Sequence, residues 1–325
     1  MKRCWIGLAV LSITIMAGQA LAEPVRVVAT TELVGSLVKM IGGDQVLVES
    51  LARGDQDHYY VNPRPSHCTP LNKADLLVAI GQGLEQLWLS ELVSQCRNPR
   101  VEEGGESYLD LSGGVKLLPL PQTKETPRGL FSRLMGKMFL GPNETGPVTG
   151  VMSSGNPHYW LDPANGEVMA KNISARLASI NPTNADQYRK NYEAFAARLQ
   201  ERMNAWDTQM DPFRGMALAA YGIGWAYLAE RHDLKIVGYV EPTESRTLKL
   251  RQRSALIELM QAHRVSLLLM EPYQDQGAAH KIAQKIGAEV LVLPISMDLA
   301  QGITDYIQMF EVIYQKLPEA ASQAP

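Results

Sequence analysis

The chain has 325 residues, of which 46% are hydrophobic and 20% charged, and it carries a formal net charge of -3 with a sequence pI near 6.1. This length predicts two domains, and the composition is ordinary for a globular protein. The slightly acidic balance leaves no basic surface of the kind that nucleic acid or anionic lipid requires, so neither is an expected partner.

The first 22 residues have the pattern of a secretory signal peptide. Two basic residues precede an apolar run from Trp5 to Met16, and Ala20-Leu21-Ala22 follows. The run is too short to span a bilayer permanently, and the small residues suit cleavage after Ala22. Cys4 precedes the run, whereas a lipoprotein cysteine follows it. We therefore expect a soluble periplasmic protein.

The mature chain keeps two cysteines, Cys68 and Cys96. An exported protein reaches an oxidising compartment, so a disulfide between them is one expectation and two buried free thiols are the other. A cysteine metal site is not favoured, because the chain has no CxxC spacing.

Short β-rich runs alternate with helical segments along the mature chain, which predicts an α/β fold. The first lobe is predicted to contain strands at 25–30, 46–50 and 76–80 and helices at 32–41 and 84–93. In the second helix Leu84, Leu87 and Leu92 share an apolar face with Trp88. Residues 113–156 then lose periodicity and predict a long mobile loop, in which the spacing from Leu130 to Met138 favours a small packed helix over soft-metal binding.

A long amphipathic helix is predicted from Thr183 to Met210. Its apolar residues recur every three or four positions, with a start signal at 181–183 and a stop signal at Asp211-Pro212. At 1.5 Å per residue this helix would be roughly 40 Å long, more than one small domain needs. We therefore expect a spine that joins two lobes.

Alternation resumes after the spine. Strands are predicted at 216–221, 235–240, 266–270 and 289–293, and helices at 222–231, 247–262, 277–286 and 303–314. The expected fold is two α/β lobes, each a mostly parallel sheet flanked by helices, joined by one long rigid helix. Its divisions are a first lobe over 23–163, a helical linker over 164–211 and a second lobe over 212–325.

Ligands of open α/β sheets collect beyond the carboxyl ends of the strands. There the chain has polar segments at 54–66, at 156–163, and after the second-lobe strands at Tyr221, Glu241 and Glu271. Imidazole and carboxylate converging from different loops are what a borderline divalent metal requires. By contrast, His232, His263 and His280 have no partner at i+3 or i+4 on their predicted helices, and we expect them at the surface.

An enzyme has little support at the level of residues. Gly222-Ile223-Gly224 lies between a strand and a helix like the start of a dinucleotide-binding turn, but the third glycine is replaced by Tyr227. The chain contains neither a Gly-x-Ser-x-Gly nucleophile elbow nor a His-Glu-x-x-His helix.

Three segments resemble one family. Residues 54–66, with Pro65-Ser66 followed by 72–78, are similar to the opening lobe of the zinc- and manganese-binding receptors of ABC importers, the ZnuA/TroA-like family. Residues 156–163, Asn-Pro-His-Tyr-Trp-Leu-Asp-Pro, look like the second metal-histidine motif of these receptors, and 227–231 look like the helix after the third. The resemblance implies two α/β lobes, a rigid connecting helix and one metal in the cleft, held by up to four ligands.

Carried over position by position, the resemblance assigns His158 the role of a metal ligand. At the first position Tyr59 stands where the family has histidine, and His58 lies one residue earlier. Neighbouring side chains of an extended segment point to opposite sides, so His58 substitutes only if the loop shifts. A carboxylate or carbonyl near His158 should fix its tautomer, but for Asp162 we favour the role of a helix cap.

The other two positions depart from the family pattern. Gly222 stands where His or Glu is expected, and Leu293-Pro294 stands where an acidic residue is expected, although Glu271 matches a family glutamate. We expect an altered shell of His158, with His58 or Tyr59, Glu271 and Glu241.

Zinc is expected first as the cargo, since it is the default where imidazole dominates a shell, whereas phenolate and carboxylate would favour iron or manganese. The expected function is delivery of that ion to the permease subunits of an ABC importer by a monomeric receptor. Because the spine limits hinge motion, release should come from small shifts of the ligand loops. The alternative is a divergent member that binds another solute or serves as an accessory metal-handling protein.

Overall fold

The computed structural model describes residues 23–120, 155–241 and 250–323. The signal peptide and the helix expected from Leu130 to Met138 lie outside these ranges. Two four-stranded sheets, with every paired strand parallel, have the orders β2-β1-β3-β4 and β6-β5-β7-β8. The strands are β1 (Val25–Thr31), β2 (Val46–Ala52), β3 (Leu76–Ala79), β4 (Tyr108–Asp110), β5 (Ala217–Ala220), β6 (Lys235–Tyr239), β7 (Leu267–Met270) and β8 (Glu289–Val292).

Helices flank both sheets and lie between them. The described helices are α1 (Glu32–Gly42), α2 (Cys68–Lys73), α3 (Leu89–Gln95), α4 (Pro163–Ile180), α5 (Ala185–Met210), α6 (Ala226–Arg231), α7 (Leu250–Ala262), α8 (Gln276–Ile286) and α9 (Tyr306–Gln323). None of them is long and apolar enough to cross a membrane. The predicted two-lobed α/β fold is thus confirmed, with a short strand β4 and a longer last helix than the pattern indicated.

Burial explains the apolar sequences of the central strands. All four residues of β3 are buried, as are six of the seven in β1, because helices or loops cover both faces of a parallel sheet. The edge strand β2 alternates instead between buried and exposed residues over much of its length. A continuous apolar run therefore marks a central strand here.

The spine helix α5 has 26 residues and buries one stripe, which includes Tyr188, Phe195 and Trp206. Trp206 stacks on Tyr314 of the last helix, with ring centroids 4.8 Å apart and planes 18° apart. Tyr306 of the same helix donates a hydrogen bond to the backbone oxygen of Trp160 over 2.6 Å. One buried hydrophobic cluster consequently runs from the first sheet, through the spine, to the second sheet.

The helix predicted at 84–93 is wrong at its start, since α3 begins at Leu89. Positive φ angles occur at Gly81, Gln82 and Gly83. The chain therefore leaves β3 through left-handed turns, a conformation that a right-handed helix does not contain. Leu87, expected on the apolar face, is 46% exposed.

Glu85 stabilises that irregular connection. Its buried carboxylate accepts hydrogen bonds from the Thr30 hydroxyl and from the backbone nitrogens of Ile80 and Gly81, at 2.6, 2.8 and 3.0 Å. Burial raises the pKa of Glu85 to about 7, although the three hydrogen bonds lower it in part. The ends of β1 and β3 are therefore held by one carboxylate.

Of the two expectations for the cysteines, the structure shows the disulfide. Cys68 at the start of α2 is bonded to Cys96 at the end of α3, with 5.2 Å between their Cα atoms. The bridge joins α2 to α3 and packs against a second hydrophobic cluster of the first lobe.

The burial of Glu85 predicts a pH-dependent stability. Between an ordinary pKa of 4.5 and the folded-state pKa of about 7, the folded protein holds a proton that the unfolded chain releases. The contribution of Glu85 to the free energy of unfolding therefore falls as the pH rises through this window. We expect Glu85→Ala to lose more stability at pH 5 than at pH 8, the difference being up to about 3 kcal/mol. Urea unfolding of the metal-free proteins measures it, and equal losses at both pH values would contradict it.

Candidate metal centre

A turn in the first lobe directs two neighbouring side chains inward. The backbone nitrogen of Tyr60 donates to the oxygen of Asp57 over 3.2 Å and closes the turn. His58 and Tyr59 are 3% and 1% exposed, whereas Tyr60 is 52% exposed. The segment is a turn and not the extended stretch for which His58 and Tyr59 were expected to point to opposite sides, and both side chains are buried.

His158 lies at the boundary of the lobes, close to the side chains of His58 and Tyr59. The ring centroid of Tyr59 is 5.6 Å from that of His158. The ring centroid of Trp160 lies 5.0 Å from that of His158 and 6.2 Å from that of His58, so the indole packs near both imidazoles. Trp160 is fixed in turn, since its indole nitrogen donates to the backbone oxygen of Ile295 over 2.9 Å.

Both imidazoles are buried and neutral. Burial lowers the pKa of His158 to about 3, with a smaller contribution from the neighbouring His58. Burial lowers the pKa of His58 to about 4, although the backbone of Arg53 raises it in part. Neither ring nitrogen of His58 makes a hydrogen bond of good geometry in the described part of the chain, and its polar neighbour is the backbone of Arg53. A neutral imidazole offers the lone pair that a metal ion requires.

Glu271 enters from the second lobe, directly after β7. Its carboxylate is buried, and the Tyr273 hydroxyl donates a short hydrogen bond to its Oε2 atom. Gln274 holds the backbone there, because its Oε1 atom accepts from the nitrogen of Glu271 over 2.8 Å. Burial raises the pKa of Glu271 to about 7, the hydroxyl of Tyr273 lowers it and the charge of Asp57 raises it further.

Gly224 shows how closely the two lobes approach. A Cβ atom at this position would lie 2.4 Å from Oε1 of Glu271 and 3.2 Å from Cδ2 of His158. The imidazole of the first lobe and the carboxylate of the second therefore flank one glycine. At Gly222 the corresponding Cβ would lie 2.8 Å from the amide nitrogen of Gln274 and 3.9 Å from Oε1 of Glu271.

Asp57 is a neighbour of the site that the sequence analysis did not single out. Its Oδ1 atom accepts from the backbone nitrogen of Tyr59 over 2.9 Å, and burial raises its pKa. Its charge acts on the pKa of Glu271 in the other lobe. The position of Asp57 directly before His58 could have pointed to it. The direction of its side chain, however, depends on the turn.

Glu241 is placed differently from the other candidates. The hydroxyl of Tyr221 is hydrogen-bonded to the carboxylate of Glu241, and this carboxylate and burial both raise the pKa of Tyr221. Within the described ranges, no three His, Cys, Asp or Glu side chains are grouped as a metal ion would need. His158 lies close to Tyr59 and, across Gly224, to Glu271, whereas His58 is linked to His158 through the ring of Trp160. The roles of all four as ligands remain predictions.

Two expectations about neighbouring residues have clear outcomes. Asp162 is a helix cap, as favoured: its Oδ1 atom accepts from the nitrogen of Ala164 over 3.0 Å and pairs with Arg231 at the same distance. His232, expected at the surface, is buried, and its Nε2 atom lies 2.8 Å from the hydroxyl of Tyr314. The short helix α6, which ends just before His232, packs inward. His232 is therefore a core residue and not a surface residue.

Residues 27–320 match the sequence profile of a family described as zinc-uptake complex component A, periplasmic. The chain belongs to this family. Among curated relatives, it is 24% identical to the metal ABC transporter substrate-binding lipoprotein SloC of Streptococcus mutans, over 93% of this chain and 91% of that protein. It is also 24% identical to the iron ABC transporter substrate-binding lipoprotein MtsA of Streptococcus pyogenes, over 83% of this chain and 79% of that one.

Solved structures share the fold. A structure of ZnuA superimposes with a TM-score of 0.72 at 23% identity, covering 92% of this chain and 99% of that one. A periplasmic metal-binding protein of Candidatus Liberibacter asiaticus gives the same TM-score and the same coverages at 18% identity. The zinc-uptake family consists of substrate-binding components of ABC transporters for metals, so the dinucleotide-binding interpretation of Gly222 and Gly224 is set aside.

The two glycines provide a matched pair of variants. In Gly224→Ala the new methyl group meets Glu271 and His158, and both must move. In Gly222→Ala it meets the amide end of the Gln274 side chain, which must shift slightly, and it stays in ordinary contact with Glu271 at 3.9 Å. We expect Gly224→Ala to weaken binding of a divalent metal about ten- to hundredfold, and Gly222→Ala to change it by less than about threefold. Competition with a chromogenic chelator measures both affinities, and equal effects would contradict the placement of the site.

Proposed function

We propose that this protein captures a divalent transition-metal ion between its two lobes and delivers it to the permease of an ABC importer. The observation that carries the proposal is the meeting of neutral, buried His158 with the Glu271 carboxylate on either side of Gly224. One donor comes from each lobe, so a bound ion would link them. The family supports the coarser part, that the protein is the substrate-binding component of a metal importer.

The proposed ligands are His158 and Glu271, with His58 or Tyr59 from the first lobe. His58 is favoured as a donor because its two ring nitrogens are buried and lack hydrogen-bond partners among the described residues. Tyr59 packs on His158 and would contribute its phenol oxygen. Glu241 is proposed only as an outer residue, since its carboxylate is engaged by Tyr221.

Zinc is the cargo we propose first, because two neutral imidazoles suit it. Manganese and iron follow, since a phenol and the carboxylates of Glu271 and Asp57 would favour harder ions. The relatives are named for both of these metals: MtsA for iron, and scaA of Streptococcus gordonii for manganese.

The finer points of location are part of the same proposal. We propose a periplasmic receptor whose signal peptide is cleaved after Ala22, acting as a monomer, with lobe boundaries near residues 163 and 211. Substrate-binding components of this kind work with permease and ATPase subunits in the membrane. The spine and the shared core support release through small shifts of the ligand loops.

Calorimetric titration of the metal-stripped mature protein with zinc, manganese, ferrous iron and copper tests the proposal. We expect saturable binding of one ion per chain, tightest for zinc, and a loss of at least about a hundredfold in His158→Ala. His280→Ala is the control, because this exposed imidazole lies on α8 and bonds the backbone oxygen of Gln276. Unchanged affinity in His158→Ala, or no saturable binding by the wild type, would overturn the proposed site.

His58 should show opposite effects on stability and on binding. Two unpartnered ring nitrogens in the interior cost stability, so the metal-free His58→Leu variant should be more stable by about 1–2 kcal/mol. The same change removes a proposed ligand and should weaken metal binding. Thermal unfolding without metal and calorimetry with zinc measure the two effects. A variant that is less stable and binds zinc normally would assign His58 to packing alone.

A further inference from the structure

Asn156, two residues before His158, forms hydrogen bonds through both its side chain and its backbone. Its Oδ1 atom lies 3.0 Å from the backbone nitrogen of His158 and 3.0 Å from Nδ1 of the same residue. Its Nδ2 atom donates to the backbone oxygen of Ile223 in the second lobe over 2.9 Å. The residue is fully buried, so bulk solvent does not compete for these hydrogen bonds.

The backbone of Asn156 is held as firmly as its side chain. Its nitrogen donates to the oxygen of Leu118 over 2.8 Å, and its oxygen accepts from the hydroxyl of Tyr227 over 2.7 Å. The same hydroxyl accepts from the nitrogen of Leu118 over 2.9 Å. Asn156 is therefore fixed by residues of both lobes.

These contacts determine which way the amide faces. The backbone nitrogen of His158 can only donate, so the atom it meets must be the oxygen of Asn156 and not its NH2 group. The carbonyl of Ile223 can only accept, so it must meet the NH2 group. Both neighbours demand the same orientation, and a flipped amide would set donor against donor and acceptor against acceptor.

The orientation of the amide in turn determines the tautomer of the imidazole. Nδ1 of His158 meets the oxygen that already accepts from the backbone, and this oxygen can offer only a further lone pair. Nδ1 must therefore carry the proton, which leaves the lone pair of the neutral ring on Nε2. In the other tautomer Nε2 would carry the proton and could not bind a cation.

We infer that Asn156 is a positioning residue that commits His158 to the Nδ1–H tautomer, and so presents Nε2 to the cargo ion. The inference rests on the proposed function, because it requires His158 to be a metal ligand. Asn156 also ties this ligand to Ile223, between the glycines that approach Glu271. It thereby sets the direction of the first-lobe donor relative to the second-lobe carboxylate.

The tautomer can be measured without any metal. Long-range 1H–15N spectra of the protein labelled at its six histidines distinguish the two tautomers, and the resonances of His158 are those missing from His158→Ala. We expect the metal-free wild type to show Nδ1–H with an unprotonated Nε2. A wild-type Nε2–H tautomer would overturn the inference, whatever the metal titrations show.

Two substitutions at Asn156 and one elsewhere complete the test. Asn156→Leu removes the acceptor, and we expect a mixture of tautomers and a ten- to hundredfold loss of zinc affinity, about the cost of removing an outer-shell partner. Asn156→Asp keeps an oxygen against Nδ1 and should keep the tautomer, but it sets its second oxygen against the carbonyl of Ile223, so the tautomer and not the affinity is the measurement that this variant provides. Asn165→Leu is the control, because Asn165 is a similarly buried amide that donates to the backbone oxygen of Tyr159 over 2.8 Å. It should change neither the tautomer nor the affinity.

The outcomes separate this inference from the proposed function. If Asn156→Leu changes the tautomer while zinc affinity stays at the wild-type value, and His158→Ala abolishes binding, the positioning role is wrong and the site stands. The same holds if Asn165→Leu weakens binding as much as Asn156→Leu does. If His158→Ala binds zinc normally, the proposed site falls and the positioning role falls with it.

Discussion

The interaction on which the rest of this structure depends is the aromatic contact between the spine and the last helix. Trp206 stacks on Tyr314, and Tyr306 reaches past the spine to the backbone of Trp160. These contacts merge the interiors of both lobes into one core. Close-packed interiors deform little, so the distance between first-lobe and second-lobe residues is set by this core and not by a flexible hinge.

A fixed distance between the lobes makes a two-sided metal site feasible without closure. Trp160 belongs to the shared core and also packs near the rings of His58 and His158, so the core positions the proposed ligands directly. The carboxylates of Glu271 and Asp57 are buried near enough for the charge of one to raise the pKa of the other. A cation placed between them would relieve that repulsion, which is the electrostatic argument for the site that we propose at this boundary.

Much of the fold could be predicted from the sequence because its signals are local. The stripe from Tyr188 to Trp206 and the continuous apolar run of β3 each follow from burial of a regular element. The start of α3 could not be predicted, since the left-handed turns after β3 depend on a carboxylate bonded to a distant strand. The same limit applied to His58 and His232, whose directions are set by a four-residue turn and by packing against Tyr314.

The position of the last helix in this core has a consequence for how the chain matures. Tyr306 packs over Gly166 in α4, and α9 also contacts α1 of the first lobe. Because α9 follows all the other described elements along the chain, the interior of the first lobe is incomplete until α9 has packed against it. A chain shortened before Tyr306 would therefore leave the apolar stripe of the spine without its cover.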